Sequence, residues 1–167
     1  PEATLNDTAN FDISKLAAEM IAQLAPLAFS KDIDIELNET VKNLKIWGNE
    51  TSISILMRNL IDNAIRYTPP KGRVLIETTK VKDRILFSVK DSGSGIPPEL
   101  RTRVFERFYR VLGTQASGSG LGLAIVQQIA DMHSAKISLG SAFDGVGLDF
   151  TVSFPNPKMM GPHQKRN

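Results

Sequence analysis

The chain contains no cysteine, one tryptophan and two tyrosines among its 167 residues. Without cysteine it can form neither disulfide bonds nor thiolate metal sites, which fits a reducing compartment. No apolar run approaches the ~20 residues that a membrane helix needs, and we expect no signal peptide. We therefore expect no direct membrane contact from these residues. Because the chain opens on Pro1 rather than methionine, we expect it to be a piece of a longer protein.

A strong charge of one sign is also missing. The 20 basic and 18 acidic residues give a formal net charge of +2. The sequence pI is near 9.0, yet no basic stripe with interleaved aromatic residues is present, so we expect no nucleic-acid partner. The hydrophobic content of 41% suffices for one domain with its own core.

Apolar periodicity and turn residues predict an alternation of helices and strands. The predicted helices are 11–30, capped by Asp12 or Ser14, then 51–67, capped by Asn49, and 120–133 with Leu121, Ala124, Ile125, Ile129 and Met132 facing inward. The predicted strands are 32–37, 44–47, the hairpin 73–80 with 84–90, and the hairpin 136–140 with 148–154. Residues 111–119 are predicted to be a mobile loop and 156–167 a disordered tail, which leaves one domain over 1–155. This order predicts a mixed sheet covered on one face by helices.

Two asparagines lie on the predicted helix 51–67. Asn59 and Asn63 are four residues apart, so they stack on one side, with Asn63 at the edge of the apolar stripe. A half-buried amide needs a partner, which is either a protein group or a ligand. Amide oxygens are also ligands that Mg²⁺ accepts, and Arg66 on the same side suits phosphate oxygens. Both interpretations remain open from these residues alone.

Two glycine-rich segments have similar ambiguity. Asp91-Ser-Gly93-Ser-Gly95 follows a predicted strand and is a plain turn in one interpretation. In the other, its glycines let a flat ligand approach the backbone, and an exocyclic amine of that ligand donates a hydrogen bond to the Asp91 carboxylate. Gly118-Ser-Gly120-Leu-Gly122-Leu opens a helix, whose free N–H groups suit a phosphate chain. It is neither a Rossmann fingerprint nor a Walker A loop, because the spacing and the terminal Gly-Lys-Ser/Thr are absent.

Taken in order, these blocks resemble the catalytic ATP-binding domain of bacterial sensor histidine kinases, within the GHKL superfamily of gyrase-like, chaperone-like and mismatch-repair ATPases. The resemblance covers residues 11–155. Its four blocks are similar to the asparagine box (59–68), the first glycine box (91–95), the phenylalanine box (105–110) and the second glycine box (118–123). The last hairpin, with Gly145-Val-Gly147-Leu-Asp-Phe150, also resembles the family's. The aromatic side chains Phe105, Phe108 and Tyr109 are predicted to be core or loop anchors rather than ligand contacts.

The resemblance implies an α/β sandwich of the Bergerat (GHKL) type. Its mixed, mostly antiparallel sheet would have about five strands, with three main helices on one face and a lid between Arg107 and Ser119. It implies ATP and Mg²⁺ as ligands. Asn63 would hold the metal with help from Asn59, Arg66 would approach the phosphates, Tyr67 would line the adenine pocket, and Asp91 would accept from the adenine amine. The remaining nucleotide contacts implied in this way are Gly93, Gly95, Ile96, Arg107, Gly118, Ser119, Gly120, Leu121, Gly122 and Leu123. The lid carries no Lys or Arg between Val111 and Gly122, a departure from the family pattern.

The resemblance also separates kinases from hydrolases. ATP-hydrolysing members of the superfamily have a glutamate one turn before the metal asparagine, where this chain has Asn59, which cannot accept a proton. The implied function is therefore a protein-histidine kinase domain that donates the γ-phosphoryl group to a histidine elsewhere. Neither His133, at a predicted helix end where it would favour the helix dipole, nor His163 lies in a phosphoacceptor context, so self-phosphorylation is not expected.

The implied partners are the protein's own dimerisation and histidine-phosphotransfer domain and, through the full-length kinase, a response regulator. The implied location is the cytoplasmic side of an inner-membrane-anchored receptor. Two alternatives stay open: a GHKL-type ATPase, and an interaction domain that has lost nucleotide binding.

Overall fold

The structure is a computed structural model that describes residues 6–106 and 122–157. Its strands are β1 Ala9–Asp12, β2 Asp34–Glu39, β3 Lys45–Gly48, β4 Arg73–Val81, β5 Arg84–Asp91, β6 Lys136–Ser141 and β7 Leu148–Pro155, and its helices are α1 Ile13–Ser30, α2 Glu50–Tyr67 and α3 Gly122–Met132. Short 3₁₀ turns lie at 98–100 and 103–105. Within the described ranges, no helix combines the length and apolar character needed to cross a membrane.

The main sheet has five strands in the order β2-β4-β5-β7-β6. β2 runs parallel to β4, and the other neighbouring pairs are antiparallel, so the predicted mixed sheet is confirmed. Side chains alternate along the strands, and the buried ones on β4, β5 and β7 face the helices: Val74, Ile76, Ile85, Phe87, Val89, Phe150, Val152 and Phe154. The two predicted hairpins are present, with registers such as Val81 opposite Arg84 and Ser141 opposite Leu148.

Helix α2 forms where the sequence predicted it because its cap and its apolar stripe agree. The side chain of Asn49 accepts a hydrogen bond from the Ser52 N–H (2.8 Å), which satisfies one of the exposed donors of the first turn. The stripe from Ile53 through Leu60 to Ala64 is buried. The helix stops at Tyr67, and the Thr68 hydroxyl donates to the Ala64 carbonyl (2.7 Å). This end of α2 leads directly to the site described below.

The N-terminal part of the prediction needs correction. The first helix does not begin at Phe11, because residues 9–12 form strand β1, which pairs with β3 in a separate two-stranded ribbon. Asp12 then caps α1 by accepting from the N–H groups of Ser14 and Lys15. A four-residue strand next to a strong helix cap leaves too short a period-two pattern to recognise. The second strand also begins later than predicted, at Asp34, since Asp32 has a positive φ of 58° in the preceding turn.

Helix α3 presents partly the predicted face, since Ile129 is buried and Ala124 and Met132 are half-buried as expected, but Ile125 is not. Val126, Ile129 and Ala130 are buried, whereas Ile125 is 39% exposed. The predicted start at residues 120–121 and the predicted loop 111–119 lie outside the described residues. At the other end of the chain, Asn156 and Pro157 are buried, and the Asn156 N–H donates to the Asp83 carbonyl (3.1 Å). The remainder of the predicted tail, 158–167, also lies outside the described residues.

Candidate nucleotide site

The two asparagines of α2 lie beside the first residue of α3. A methyl group added to Gly122 would be 3.2 Å from Asn59 Oδ1 and 3.8 Å from Asn63 Nδ2. Helix α3 therefore begins against both amides, and a side chain at position 122 would crowd them. The structure thus brings together the asparagines and the end of the second glycine box. Leu123, also predicted here, is half-buried and packs on the core.

The hydrogen bonds of these amides leave oxygen atoms available. Asn59 uses its Nδ2 group to donate to the Ile55 carbonyl one turn back (2.9 Å), and its Oδ1 atom has no hydrogen-bond partner among the residues that the structure describes. Asn63 is half-buried and makes no side-chain hydrogen bond within the described part of the chain. A half-buried amide that finds no partner in residues 6–106 or 122–157 suits a ligand site. No group of three or more histidine, cysteine, aspartate or glutamate residues among those described is placed to hold a metal ion. The candidate cation ligands are instead the amide oxygens.

Arg66 lies on α2 less than one turn after Asn63. Its Nε group donates to Asp62 Oδ2 at 2.9 Å, an i,i+4 ion pair in which both side chains are partly exposed. The sequence pointed to the arginine but not to its carboxylate partner. Any phosphate that approaches Arg66 shares the guanidinium with Asp62.

Asp91 ends β5 as a buried carboxyl group that is 5% exposed. Its Oδ1 atom accepts from the Gly93 N–H at 2.9 Å and from the Leu148 N–H at 3.4 Å. Among the described residues its Oδ2 atom has no hydrogen-bond partner. Burial raises the pKa of Asp91 to about 6, although both backbone hydrogen bonds oppose that shift. A buried carboxylate with one free oxygen is a strong acceptor for a ligand amine.

Gly93 connects Asp91 to the end of α2. A methyl group at Gly93 would lie 2.6 Å from the carbonyl oxygen of Tyr67, so the loop can pass over the helix end only as glycine. Tyr67 is half-buried there. Further along the loop, Gly95 has a positive φ of 74°, and the carbonyl of half-buried Ile96 accepts from Arg101 Nε (3.0 Å). The predicted adenine residues are therefore neighbours, and α2 joins them to the asparagines.

The turn between β6 and β7 contributes residues that the sequence analysis did not assign to the site. Gly147 has a positive φ of 84°, and a methyl group there would lie 1.8 Å from the Asp91 carbonyl oxygen. The adjacent Leu148 N–H is one of the two donors to Asp91. The sequence contains the Gly145-Val-Gly147 pattern, but its contact with Asp91 follows only from the strand register, which places Asp91 opposite Leu148.

His133 is a structural histidine. It is 6% exposed, its Nδ1–H donates to the Ile129 carbonyl (2.8 Å), and its Nε2 atom accepts from the Asn49 N–H (3.1 Å). Burial lowers the pKa of His133, so the ring is neutral and links the end of α3 to the start of α2. The predicted preference for the helix dipole does not describe it, because that effect requires an imidazolium.

His163, Arg107 and residues Gly118–Leu121 lie outside the described residues, as do Phe108 and Tyr109. Phe105 packs edge-to-face on Phe150 (5.9 Å between ring centroids), which confirms it as a core anchor.

A five-stranded mixed sheet with three helices is the architecture of an α/β sandwich of the GHKL type. The asparagine amides lie in the C-terminal half of α2, and the loop after the buried carboxyl group of Asp91 meets the last residue of that helix. The model of the histidine kinase-, DNA gyrase B- and HSP90-like ATPase family matches residues 48–158, and the chain belongs to that family.

Individual relatives are sensor kinases. The sensor protein QseC of Escherichia coli O157:H7 is 39% identical over 150 residues, which cover 90% of this chain and 32% of QseC. The sequence of residues 113–119 suggests a likeness to QseC in particular, and this match supports that suggestion. The catalytic domain of histidine kinase ThkA matches with a TM-score of 0.80 at 28% identity, over 90% of this chain and 96% of that domain. Full-length ShkA in complex with AMPPNP matches with a TM-score of 0.77 at 30% identity, over 89% of this chain and 31% of ShkA. The chain thus spans about a third of the length of the curated relatives it matches.

Proposed function

We propose that this chain is the ATP- and Mg²⁺-binding catalytic domain of a sensor histidine kinase. The observation that carries the proposal is the convergence on α2 of two acceptor sets. Asn59 and Asn63 meet the start of α3 at Gly122, and the segment ending at Tyr67 meets the loop that follows Asp91. The solved complex of the similar kinase ShkA with AMPPNP supports a nucleotide as the ligand.

In this proposal each residue has one task. The free Oδ2 of Asp91 accepts a hydrogen bond from the exocyclic amine of adenine, with the purine beside Tyr67 and over Gly93, Gly95 and Ile96. The amide oxygens of Asn63 and Asn59 fit Mg²⁺, which takes oxygen ligands and, when bound, neutralises phosphate oxygens. Arg66 offers positive charge to the same phosphates, and the start of α3 at Gly122 and Leu123 suits their negative charge. Arg107 and residues Gly118–Leu121 complete the predicted phosphate contacts.

The proposed reaction is transfer of the γ-phosphoryl group to a histidine on a separate dimerisation domain, followed by transfer to a response regulator. The domain would lie on the cytoplasmic side of an inner-membrane-anchored receptor. Phosphoryl transfer needs the nucleotide to be positioned and the charge on its phosphates to be stabilised, and the nucleophilic histidine belongs to the separate dimerisation domain. Hydrolysis would need a base for water, and the Asn59 amide cannot act as one. A GHKL-type ATPase is therefore the second candidate, favoured only by the family's ATP-hydrolysing members, and a nucleotide-free interaction domain is the third.

We expect the isolated chain to bind ATP, to hydrolyse it slowly and not to label itself. His133 is buried, and its Nε2 lone pair already accepts from Asn49, so neither ring nitrogen is available to attack a phosphorus atom. Incubation with γ-labelled ATP, followed by separate counting of protein-bound and free phosphate, measures both outcomes. Rapid steady-state hydrolysis would favour the ATPase alternative. Label on His133 or His163 at a useful rate would contradict the need for a separate acceptor domain.

A further inference from the structure

The last turn of α2 is capped by a lysine from another element. Lys31 is the C-cap residue that follows α1, and its backbone N–H donates to the carbonyls of Leu27 and Ala28 (both 3.2 Å). Its ammonium group reaches across to the end of α2 and donates to the carbonyls of Ile65 (3.0 Å) and Arg66 (2.5 Å). Carbonyls at a helix C-terminus lack partners within the helix, and a cation there also complements the helix dipole.

With Lys31 in place, every carbonyl of this turn has a defined neighbour. The Ala64 carbonyl accepts from the fully buried Thr68 hydroxyl, Ile65 and Arg66 accept from Lys31, and the Tyr67 carbonyl lies under Gly93. The contact between Tyr67 and Gly93 leaves no room even for a methyl group. A small rotation of the last turn would therefore move the loop that follows Asp91 and contains Gly95.

The ammonium group of Lys31 lies in an electrostatically unfavourable position, because it is partly buried and close to the positive charge of Arg66. Burial and the positive charge of Arg66 both lower the pKa of Lys31. Arg66 is held nearby by Asp62, so two cations meet at one helix end. A residue that only terminated the helix would not need to lie beside a second positive charge.

We propose that Lys31 is a positioning residue of the nucleotide site, which fixes the last turn of α2 so that Tyr67 and Gly93 keep the spacing that the purine requires. This inference rests on the proposed function. Lys31 touches neither purine nor phosphate in it and acts through the backbone of residues 65–67. Its effect falls on the purine end of the site rather than on the metal end at Asn63.

Nucleotide affinity of the Lys31→Met variant tests this role. Methionine keeps the length of the aliphatic stem but removes both hydrogen bonds. We expect ATP to bind roughly tenfold more weakly, since two charge-assisted hydrogen bonds are lost, and by the same factor with and without Mg²⁺. Lys31→Arg, which can donate to the same two carbonyls, should restore most of the affinity. Calorimetry with ATP, at a temperature where all variants are folded by circular dichroism, provides the measurement.

Lys71→Met is the matched control. Lys71 is exposed in the turn after α2 and makes no side-chain hydrogen bond among the described residues, so this variant removes one charge from the same corner and should bind ATP as the parent does. A lower melting temperature of Lys31→Met with unchanged ATP affinity would overturn the inference, as would an equal loss in Lys71→Met. A parent protein that bound no nucleotide would refute the proposed function and this inference with it. Parent binding without any Lys31 effect would refute the inference alone.

Discussion

Replacing Asp91 with asparagine is expected to weaken ATP binding by roughly a hundredfold while making the nucleotide-free protein more stable. The N–H groups of Gly93 and Leu148 both donate to Oδ1 of Asp91. In the variant they should therefore hold the new side chain with its amide oxygen in the place of Oδ1. The amide nitrogen then takes the place of Oδ2 and presents hydrogens to the adenine amine. Guanine has an acceptor oxygen at the corresponding place, so the preference for ATP over GTP should shrink.

The stability gain follows from the sign of the pKa shift. Because the pKa of Asp91 is raised from 3.8 to about 6, the folded state disfavours its ionised form. In the wild-type protein, the protonated carboxyl group of Asp91 makes its full contribution to the free energy of unfolding at low pH. That contribution is lost as the pH rises through 6. At pH 8 the Asp91→Asn variant should therefore be more stable by about 2–3 kcal/mol, and the difference should nearly vanish by pH 4.

Urea unfolding of both proteins at pH 4 and pH 8, with ATP titrations at pH 8, measures these effects. Asp144→Asn is the control, because Asp144 is exposed on the neighbouring turn and asparagine tolerates its positive φ of 49°. It should change neither quantity by much. Unaltered ATP affinity in Asp91→Asn would remove this carboxyl group from the purine site.

Two alanine substitutions in one turn should have very different consequences. Gly145 and Gly147 have nearly the same backbone angle, with φ of 85° and 84°. A methyl group at Gly145 meets nothing within 4 Å, whereas one at Gly147 would lie 1.8 Å from the Asp91 carbonyl oxygen. Gly145→Ala should therefore cost only the strain of a positive φ, about 1–2 kcal/mol.

Gly147→Ala bears the same strain and must also push β7 away from Asp91. We expect it to lose at least about 3 kcal/mol of unfolding free energy, and to weaken ATP binding because Leu148 no longer donates to the carboxyl group. Denaturant unfolding and calorimetry on the two variants separate the strain from the steric effect. Equal destabilisation by both substitutions would contradict the steric effect, and unchanged ATP affinity in Gly147→Ala would show that the turn does not support the purine site.

The parts of the fold that could be predicted from sequence are those in which local patterns and tertiary packing agree. Helix α2 has a cap at Asn49, an unbroken apolar stripe and a stop before Pro69-Pro70, and the hairpins have strict alternation. Strand β1 escaped prediction because four residues pair with a partner more than thirty positions away, which no local pattern records. The exposed face of α3 shows the same limit, since Ile125 is apolar but faces away from the buried side.

The site divides in a similar way. Asn59, Asn63, Asp91 and the glycines were found because chemistry-bearing residues occur at informative spacings. Asp62, Gly147 and Lys31 were not assigned because their importance depends on contacts between distant segments. The lysine is an example, since its ammonium group meets carbonyls 34 and 35 residues further along the chain. An isolated lysine at a helix end carries no sequence signal for that role.

One calorimetric experiment tests the central claim most directly: titration of ATP and GTP into the wild-type protein and Asn63→Ala, each with and without Mg²⁺. Asn63 is half-buried without a hydrogen-bond partner among the described residues, so its removal should leave the fold intact. We expect wild-type protein to prefer ATP and to bind it more tightly with Mg²⁺, and Asn63→Ala to lose the Mg²⁺ effect, roughly tenfold, while keeping its metal-free affinity. The same Mg²⁺ enhancement in both proteins, or no preference for adenine, would contradict the account.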